Sequence, residues 1–238
     1  MFSKLEKYFP NDMGTLSNVD TRRGEYNPPT LDLPSASSPG KQNTMAGVSS
    51  DYEKKEGHEW YVFRATYNRV DKAFEIITKG GRQVYLPIHY MQKEINGKEK
   101  RILEPLLPNI LFVYCTPEQA EYYTKRHPQL SLFLKYYRNK TQARQPDGKH
   151  PPLIIRFEEM MNFIRATSID NEHIKVVESV HCHYKSGDIV RVIEGEFKGV
   201  KGRVARVSGQ QRVIVEIEGL CLVATAYIPS AFIEALEK

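Results

Sequence analysis

GDIVRVIEGEFKGVKGRVARV, residues 187–207, decides the architecture of the second half of this chain. Valines at 190, 192, 200, 204 and 207 interleave with cations at 191, 198, 201, 203 and 206. A period of two is the mark of a strand with one face buried. Glycines at 187, 195, 199 and 202 interrupt it. A very small barrel must turn or bend sharply at such points, and only glycine takes positive φ without strain. Val190, Val192 and Val204 are therefore expected inside a barrel, with Gly195, Gly199 and Gly202 at its bends. Downstream, RVIVEI (212–217) and LVATAYI (222–228) are two more short strands, set off by the turn signals Ser208-Gly209 and Glu218-Gly219. Residues 186–238 read as a small SH3-like β-barrel.

Upstream the pattern changes. WYVFRAT (60–66) is aromatic and β-branched, a strand. Asn68 follows as an N-cap, and Val70, Ala73, Phe74 and Ile77 recur at helical spacing until Gly80-Gly81. VYLPIHYMQKEI and KEKRILEPLL flank Asn96-Gly97, a strong hairpin signal. ILFVYC (110–115) is a buried strand, and Thr116-Pro117-Glu118 opens a helix that runs to about Arg126. LFLKYY (132–137) is another strand, and Phe157, Met160, Met161 and Ile164 mark a last helix. The order β-α-β-β-α-β-α over residues 58–166 predicts an α+β domain, an antiparallel sheet with helices on one face. Residues 167–185 hold few apolar anchors and read as a linker. Residues 1–57 are rich in Pro, Ser, Gly and Asn without apolar period, and read as disordered. Met45 is an alternative start.

Composition narrows the setting. The chain has 238 residues, 40% hydrophobic, with 34 Lys and Arg against 29 Asp and Glu, a net charge of +5. A polyanionic partner is permitted but not required. Three scattered cysteines form no disulfide framework, which fits a reducing, cytoplasmic location. There is no signal-peptide core and no apolar run of membrane length. His181-Cys182-His183 lacks a fourth ligand at zinc spacing, so no metal or cofactor is expected. No phosphate-binding glycine loop, nucleophile elbow or HExxH is present, and nothing points to an enzyme.

The set Val190, Val192, Gly195, Phe197, Gly199, Gly202 and Val204 resembles a KOW motif. Before it stand Trp60-Tyr61-Val62-Phe63, a basic helix, Leu107-Pro108-Asn109-Ile110-Leu111-Phe112-Val113, and Phe157-Glu158-Glu159-Met160-Met161. In that order they resemble the N-terminal domain of NusG-type transcription elongation factors. The barrel segment is similar to the specialised paralogues, RfaH and the UpxY-type antiterminators of capsular polysaccharide operons. The resemblance implies a monomeric, non-catalytic factor. Its N-terminal domain would dock on the clamp helices of RNA polymerase, reach the opposite lobe, and suppress pausing or termination. Its barrel would recruit termination factor Rho, a small-subunit ribosomal protein or nascent RNA. The family commonly has Phe-Pro-Gly-Tyr where this chain has Leu107-Pro108-Asn109-Ile110, which changes the docking surface.

Docking on a helical tip needs an exposed apolar cup. Tyr61, Phe63, Tyr67, Leu107, Pro108, Ile110 and Phe112 are the candidates, with sheet core as the other reading of each. Tyr122 and Tyr123 match the segment that would touch the opposite lobe, or else one packs and the other is a surface tyrosine. Lys135, Arg138, Lys140 and Arg144 could face nucleic acid through sequence-blind phosphate contacts, or simply be solvated. Lys185, Arg191, Lys198, Lys201, Arg203, Arg206 and Arg212 would give the barrel a positive face, or only solubility. Phe197 and Leu220 lie on turns where family barrels present apolar contacts to a partner. The competing function is an RNA-binding KOW protein of translation or ribosome assembly, which would work without residues 58–165.

Overall fold

The computed structural model describes residues 52–169 and 171–236. The expected disorder of residues 1–51 and the alternative start at Met45 lie outside the described residues. Residues 52–57, assigned to the same segment, are coil with anchors. The Tyr52 ring meets Trp60 edge-on at 5.2 Å, and the Lys55 backbone amide donates to the Tyr114 hydroxyl at 2.8 Å.

The first domain contains β1 (Glu59–Ala65), α1 (Val70–Lys79), β2 (Gln83–Tyr85), β3 (Ile88–Ile95), β4 (Lys98–Pro105), β5 (Ile110–Cys115), α2 (Pro117–Glu121), β6 (Leu134–Tyr136), β7 (Ile154–Ile155) and α3 (Phe157–Thr167). The strands β2-β5-β1-β6 lie side by side, with β7 also paired to β1, while β3 and β4 form a separate ribbon. The register Val62↔Phe112 and Trp60↔Tyr114 puts these four residues on one face. They share an apolar cluster with Met160, Phe163 and Ile164 of α3. Tyr61, Phe63, Leu111 and Val113 of the opposite face are equally buried but outside that cluster, as are Val70, Ala73 and Ile77 of α1. Both faces of the sheet are thus covered, not one. A strand buried on both sides reads as an unbroken apolar run, and every residue of β5 is buried.

Thr116 caps α2 as its sequence predicts. Its hydroxyl accepts from the Gln119 amide, and its own amide donates to Gln119 Oε1 at 3.2 Å. Asn68 does not cap α1: it sits at φ 52, and Arg69 takes the N-cap position without a side-chain bond.

The second domain adds β8 (Lys175–Val177), β9 (His183–Val192), β10 (Lys201–Val207), β11 (Gln210–Ile217), β12 (Cys221–Ala224) and β13 (Ile233–Ala235). Its strand order is β13-β9-β10-β11-β12-β8. The expected linker 167–185 is therefore no free tether. Its β8 pairs antiparallel with β12 (Leu222↔Val177, Ala224↔Lys175), and Ile174 is buried. An edge strand is held by backbone bonds, which polar composition does not reveal. The apolar cluster of α3 continues into Val190, Val192, Phe197, Val200, Val213, Val215 and Ile217, so the two domains share one core.

Candidate functional site

Three loops converge where β1 ends. The Ala65 amide donates to Asn109 O at 2.9 Å, and the Thr66 amide donates to Phe133 O at 2.8 Å. Tyr67 leaves the sheet at φ 59 and is 79% exposed. The Arg69 guanidinium lies 5.7 Å from the Tyr67 ring and 5.6 Å from that of Phe133, within reach of cation–π attraction. Leu132, 69% exposed, and Pro108 complete an open apolar rim at this end of the sheet. A tyrosine held in the left-handed region is uncommon and costs of order 1–2 kcal/mol. Asn109 is at φ 61, a left-handed position that asparagine takes at modest strain.

The rest of the expected cup does not form. Tyr61, Phe63, Leu107, Ile110 and Phe112 are all buried. Tyr61 pairs with Val113 and Phe112 with Val62, so Tyr61 and Phe63 lie on the face opposite Phe112. Alternation assigns a residue to a face, but here both faces are covered. Phe112 packs between Tyr85 at 6.2 Å and Phe163 at 5.4 Å, and Phe63 stacks with Tyr136 at 5.5 Å. Burial, with the Glu59 carboxylate adding to it, drives the Tyr61 phenol well above its usual range. Of the seven residues expected in the cup, Tyr67 and Pro108 are the exposed ones.

Beyond α2 the chain continues as one π-helical turn, Tyr122–Arg126. The Thr124 hydroxyl donates to Ala120 O at 3.1 Å and Glu121 O at 3.2 Å, competing with the ordinary backbone ladder. Tyr122 remains exposed, against His127 at 5.5 Å, whereas Tyr123 is buried, which corrects its reading as a surface contact. Such turns recur at functional sites, though this sequence carries no signal for one.

The basic run divides. Lys135 and Lys140 are exposed. The Arg138 guanidinium donates to His150 O at 2.9 Å, and that of Arg144 donates to Gly148 O at 2.8 Å. Those two arginines tie the loop together, as Lys135 does by donating to Ser131 O at 2.6 Å, and a bond to a neutral carbonyl leaves each charge in place.

In the barrel, Val190 and Val192 are buried and Val204 half-buried, as the KOW pattern requires. Gly195 and Gly199 have φ of +80 and +87. Gly202 departs from the expectation, because its φ lies outside the left-handed region. A Cβ there would come within 2.3 Å of Ile214 O, so close approach of β11 excludes any side chain. Arg212 is buried, which removes it from the expected positive face. It donates to His173 O at 2.8 Å, Thr225 O at 2.7 Å and Gln210 Oε1 at 2.8 Å, clamping the segment before β8 onto the barrel. Lys198, Lys201, Arg203 and Arg206 are exposed, and Arg191 is half-buried.

Phe197 and Leu220 are not open partner contacts. Phe197 is buried and Leu220 half-buried in the cluster shared with α3. The seam beside them is polar and specific. Asn162 Nδ2 donates to Lys201 O at 2.7 Å, and the Lys201 amide donates to Asn162 Oδ1 at 2.8 Å, so the carboxamide mimics a strand neighbour of β10. Asn171 Nδ2 donates to Glu196 Oε2 at 3.0 Å. Asn162 was not singled out in the sequence. The signal available was the width of the apolar stripe on α3: residues 157, 160, 161, 163 and 164 span more than one helix face.

The sequence is similar to known proteins over both domains. Residues 58–164 match the family described as transcription termination factor nusG, and residues 186–218 match the KOW motif. The transcription termination/antitermination protein NusG of Streptococcus pyogenes serotype M1 is 25% identical over 163 residues, 68% of this chain and 78% of the relative. The protein of the same name from Lactococcus lactis subsp. lactis (strain IL1403) is 21% identical over 161 residues, 67% of this chain and 75% of the relative.

Proposed function

We propose that the chain, whose two domains match the NusG and KOW family models, works as a NusG-family transcription termination/antitermination protein that binds RNA polymerase during elongation and suppresses pausing or termination. The observation that carries the reading is the pairing, in one chain, of a complete N-terminal domain with a KOW barrel. A stand-alone RNA-binding KOW protein has no use for the first. Contact with the polymerase clamp helices is assigned to the open rim of Tyr67, Pro108 and Leu132, and contact with the opposite lobe to Tyr122. Tyrosine at an open rim supplies large contact area with few rotamers to freeze.

The similarity of the barrel segment to UpxY-type antiterminators supports service at polysaccharide operons, and the family's work on polymerase supports a cytoplasmic, monomeric protein. Among the described residues no helix is long and apolar enough to cross a membrane. Rho, a small-subunit ribosomal protein and nascent RNA remain the partners proposed for the barrel. With Phe197 and Leu220 covered, its exposed side chains include the cations Lys198, Lys201, Arg203 and Arg206 and the apolar Tyr184, Ile189, Ile193 and Tyr227.

A single-round transcription assay with the source organism's own polymerase tests the reading. The full chain is expected to shorten pauses or carry polymerase through a terminator. Unchanged pausing, together with failure to co-elute with polymerase, would refute it in favour of the RNA-binding alternative.

A further inference from the structure

We propose that the barrel holds a single nucleotide beside its β10–β11 turn, with the base stacked on Tyr227 and the phosphate on Arg206. The proposal goes beyond the transcriptional reading above and does not rest on it.

A cleft of about 460 Å³ opens at that turn, lined by Arg206, Gly209, Gln210, Gln211, Tyr227 and Ser230. Its size suits one small ligand. Among the described residues no carboxylate lines it. Arg206 points outwards, because its neighbours Ala205 and Val207 are buried and side chains alternate along a strand. It is exposed and has no ion-pair partner among the described residues. Tyr227 stands between the buried Ala226 and Ile228 and is itself 57% exposed.

The backbone that carries the ring is fixed. The Ile228 amide donates to Gln211 O at 3.1 Å, and Gln211 Nε2 donates to Ile228 O at 3.0 Å and to Ser230 Oγ at 3.1 Å. A contact group already held in place loses little freedom when a ligand covers it. Gln210 is oriented as firmly. Arg212 Nη2 donates to its side chain at 2.8 Å, and a guanidinium has only donors, so the carboxamide oxygen is the atom that faces Arg212. Gln210 Nε2 is turned away from Arg212 and has no partner among the described residues. An aromatic face, an unpaired cation and an oriented N–H donor therefore line one cleft.

Together these features choose the ligand. An acidic peptide would answer the guanidinium and leave the ring bare. A neutral aromatic would cover the ring and leave the guanidinium unanswered. A nucleotide brings a flat base, acceptors on the base edge and an anionic phosphate in one molecule. Stacking on the ring and a charge-assisted bond from arginine are both strong contacts for it. With one ring and one cation, the cleft takes one nucleotide and not a track of several. That nucleotide comes either free or as an unpaired position in a strand; the bases of a duplex are already stacked.

The test is a heteronuclear NMR titration of the full chain with uridine and guanosine monophosphates at millimolar concentration. The Gly209 backbone amide and the Gln210 side-chain amide are expected to shift and saturate. Tyr227→Leu is expected to weaken binding about tenfold. Arg206→Gln is expected to weaken the monophosphates several-fold and to leave uridine, which has no phosphate, binding as in the parent chain. Both sites are exposed, so the melting temperature should not move. A single-stranded RNA of about 10 nucleotides decides the source. Tighter binding of the strand, lost in Tyr227→Leu, assigns an unpaired position of a strand, and equal binding assigns the free nucleotide. Absence of a saturable shift with the monophosphates and with the strand overturns the proposal. So do shifts that both variants leave unchanged, and so does a duplex that competes as well as the strand. Each of these defeats this proposal alone, because shortened pauses would still support the transcriptional reading.

Discussion

Replacing Gly202 by alanine tests the close approach of β10 and β11. An ideal Cβ at this position would stand 2.3 Å from Ile214 O, 2.7 Å from Val213 Cγ1 and 2.9 Å from Ile214 C. Carbon and oxygen ordinarily approach to about 3.3 Å, so the new methyl must gain about 1 Å. Two of the three atoms belong to the β11 backbone, which β12 holds on its other side, and neither can rotate away. Overpacking a filled interior costs about 1–3 kcal/mol, and more where backbone must move. A loss of about 3 kcal/mol is expected, which in a chain of this size lowers the melting temperature by about 6–12 °C. Gly209→Ala is the matched control. Gly209 sits at φ +78 with nothing within 4 Å of a Cβ, so alanine there meets only left-handed strain, about 1–2 kcal/mol. Thermal unfolding of the two variants side by side separates the causes. Equal losses, or the larger loss at Gly209, would refute the steric account of Gly202.

Asn162→Ala removes both hydrogen bonds to Lys201 at a half-buried seam, and the Lys201 amide is expected to exchange with solvent about tenfold faster in a hydrogen-exchange experiment. Phe112→Asp places a carboxylate between Tyr85 and Phe163, so it should unfold the first domain by circular dichroism rather than act as a docking variant. Tyr67→Asn relieves left-handed strain at an exposed site but gives up the Arg69 cation–π contact, two opposing terms; stability should move by less than about 1 kcal/mol while co-elution with polymerase weakens. Burial raises the Cys115 and Cys221 thiols from 9.0 to about 12. Their folded values lie above their unfolded ones, so the stability they contribute is intact below pH 9 and lost as pH rises towards 12; a melting temperature flat across that window would contradict this.

The alternation that identified the strands could not say which faces were open. In β1 the residues Tyr61 and Phe63 alternate with Trp60 and Val62, and all four are buried, one pair against the side of the sheet with α3 and the other against the opposite layer. A period of two separates faces; exposure depends on what packs over each, and that is a property of the helices. For the same reason Phe112 and Tyr67, equally aromatic in the sequence, ended at opposite extremes of burial.

The glycines show how far local chemistry reaches. Gly195 and Gly199 were legible because positive φ is a local demand, answered within a few residues. The need for glycine at 202 arises from Val213 and Ile214, which arrive by strand pairing. The domain seam is further still from sequence. Asn162 meets Lys201 only because β8, made from an apparently featureless connector and clamped by Arg212, carries the barrel back onto α3. A polar connector looks the same whether it is a tether or an edge strand, since the bonds that decide the matter come from backbone groups that every residue carries. The covered state of Phe197 follows from that connector, and not from anything in the barrel's own motif.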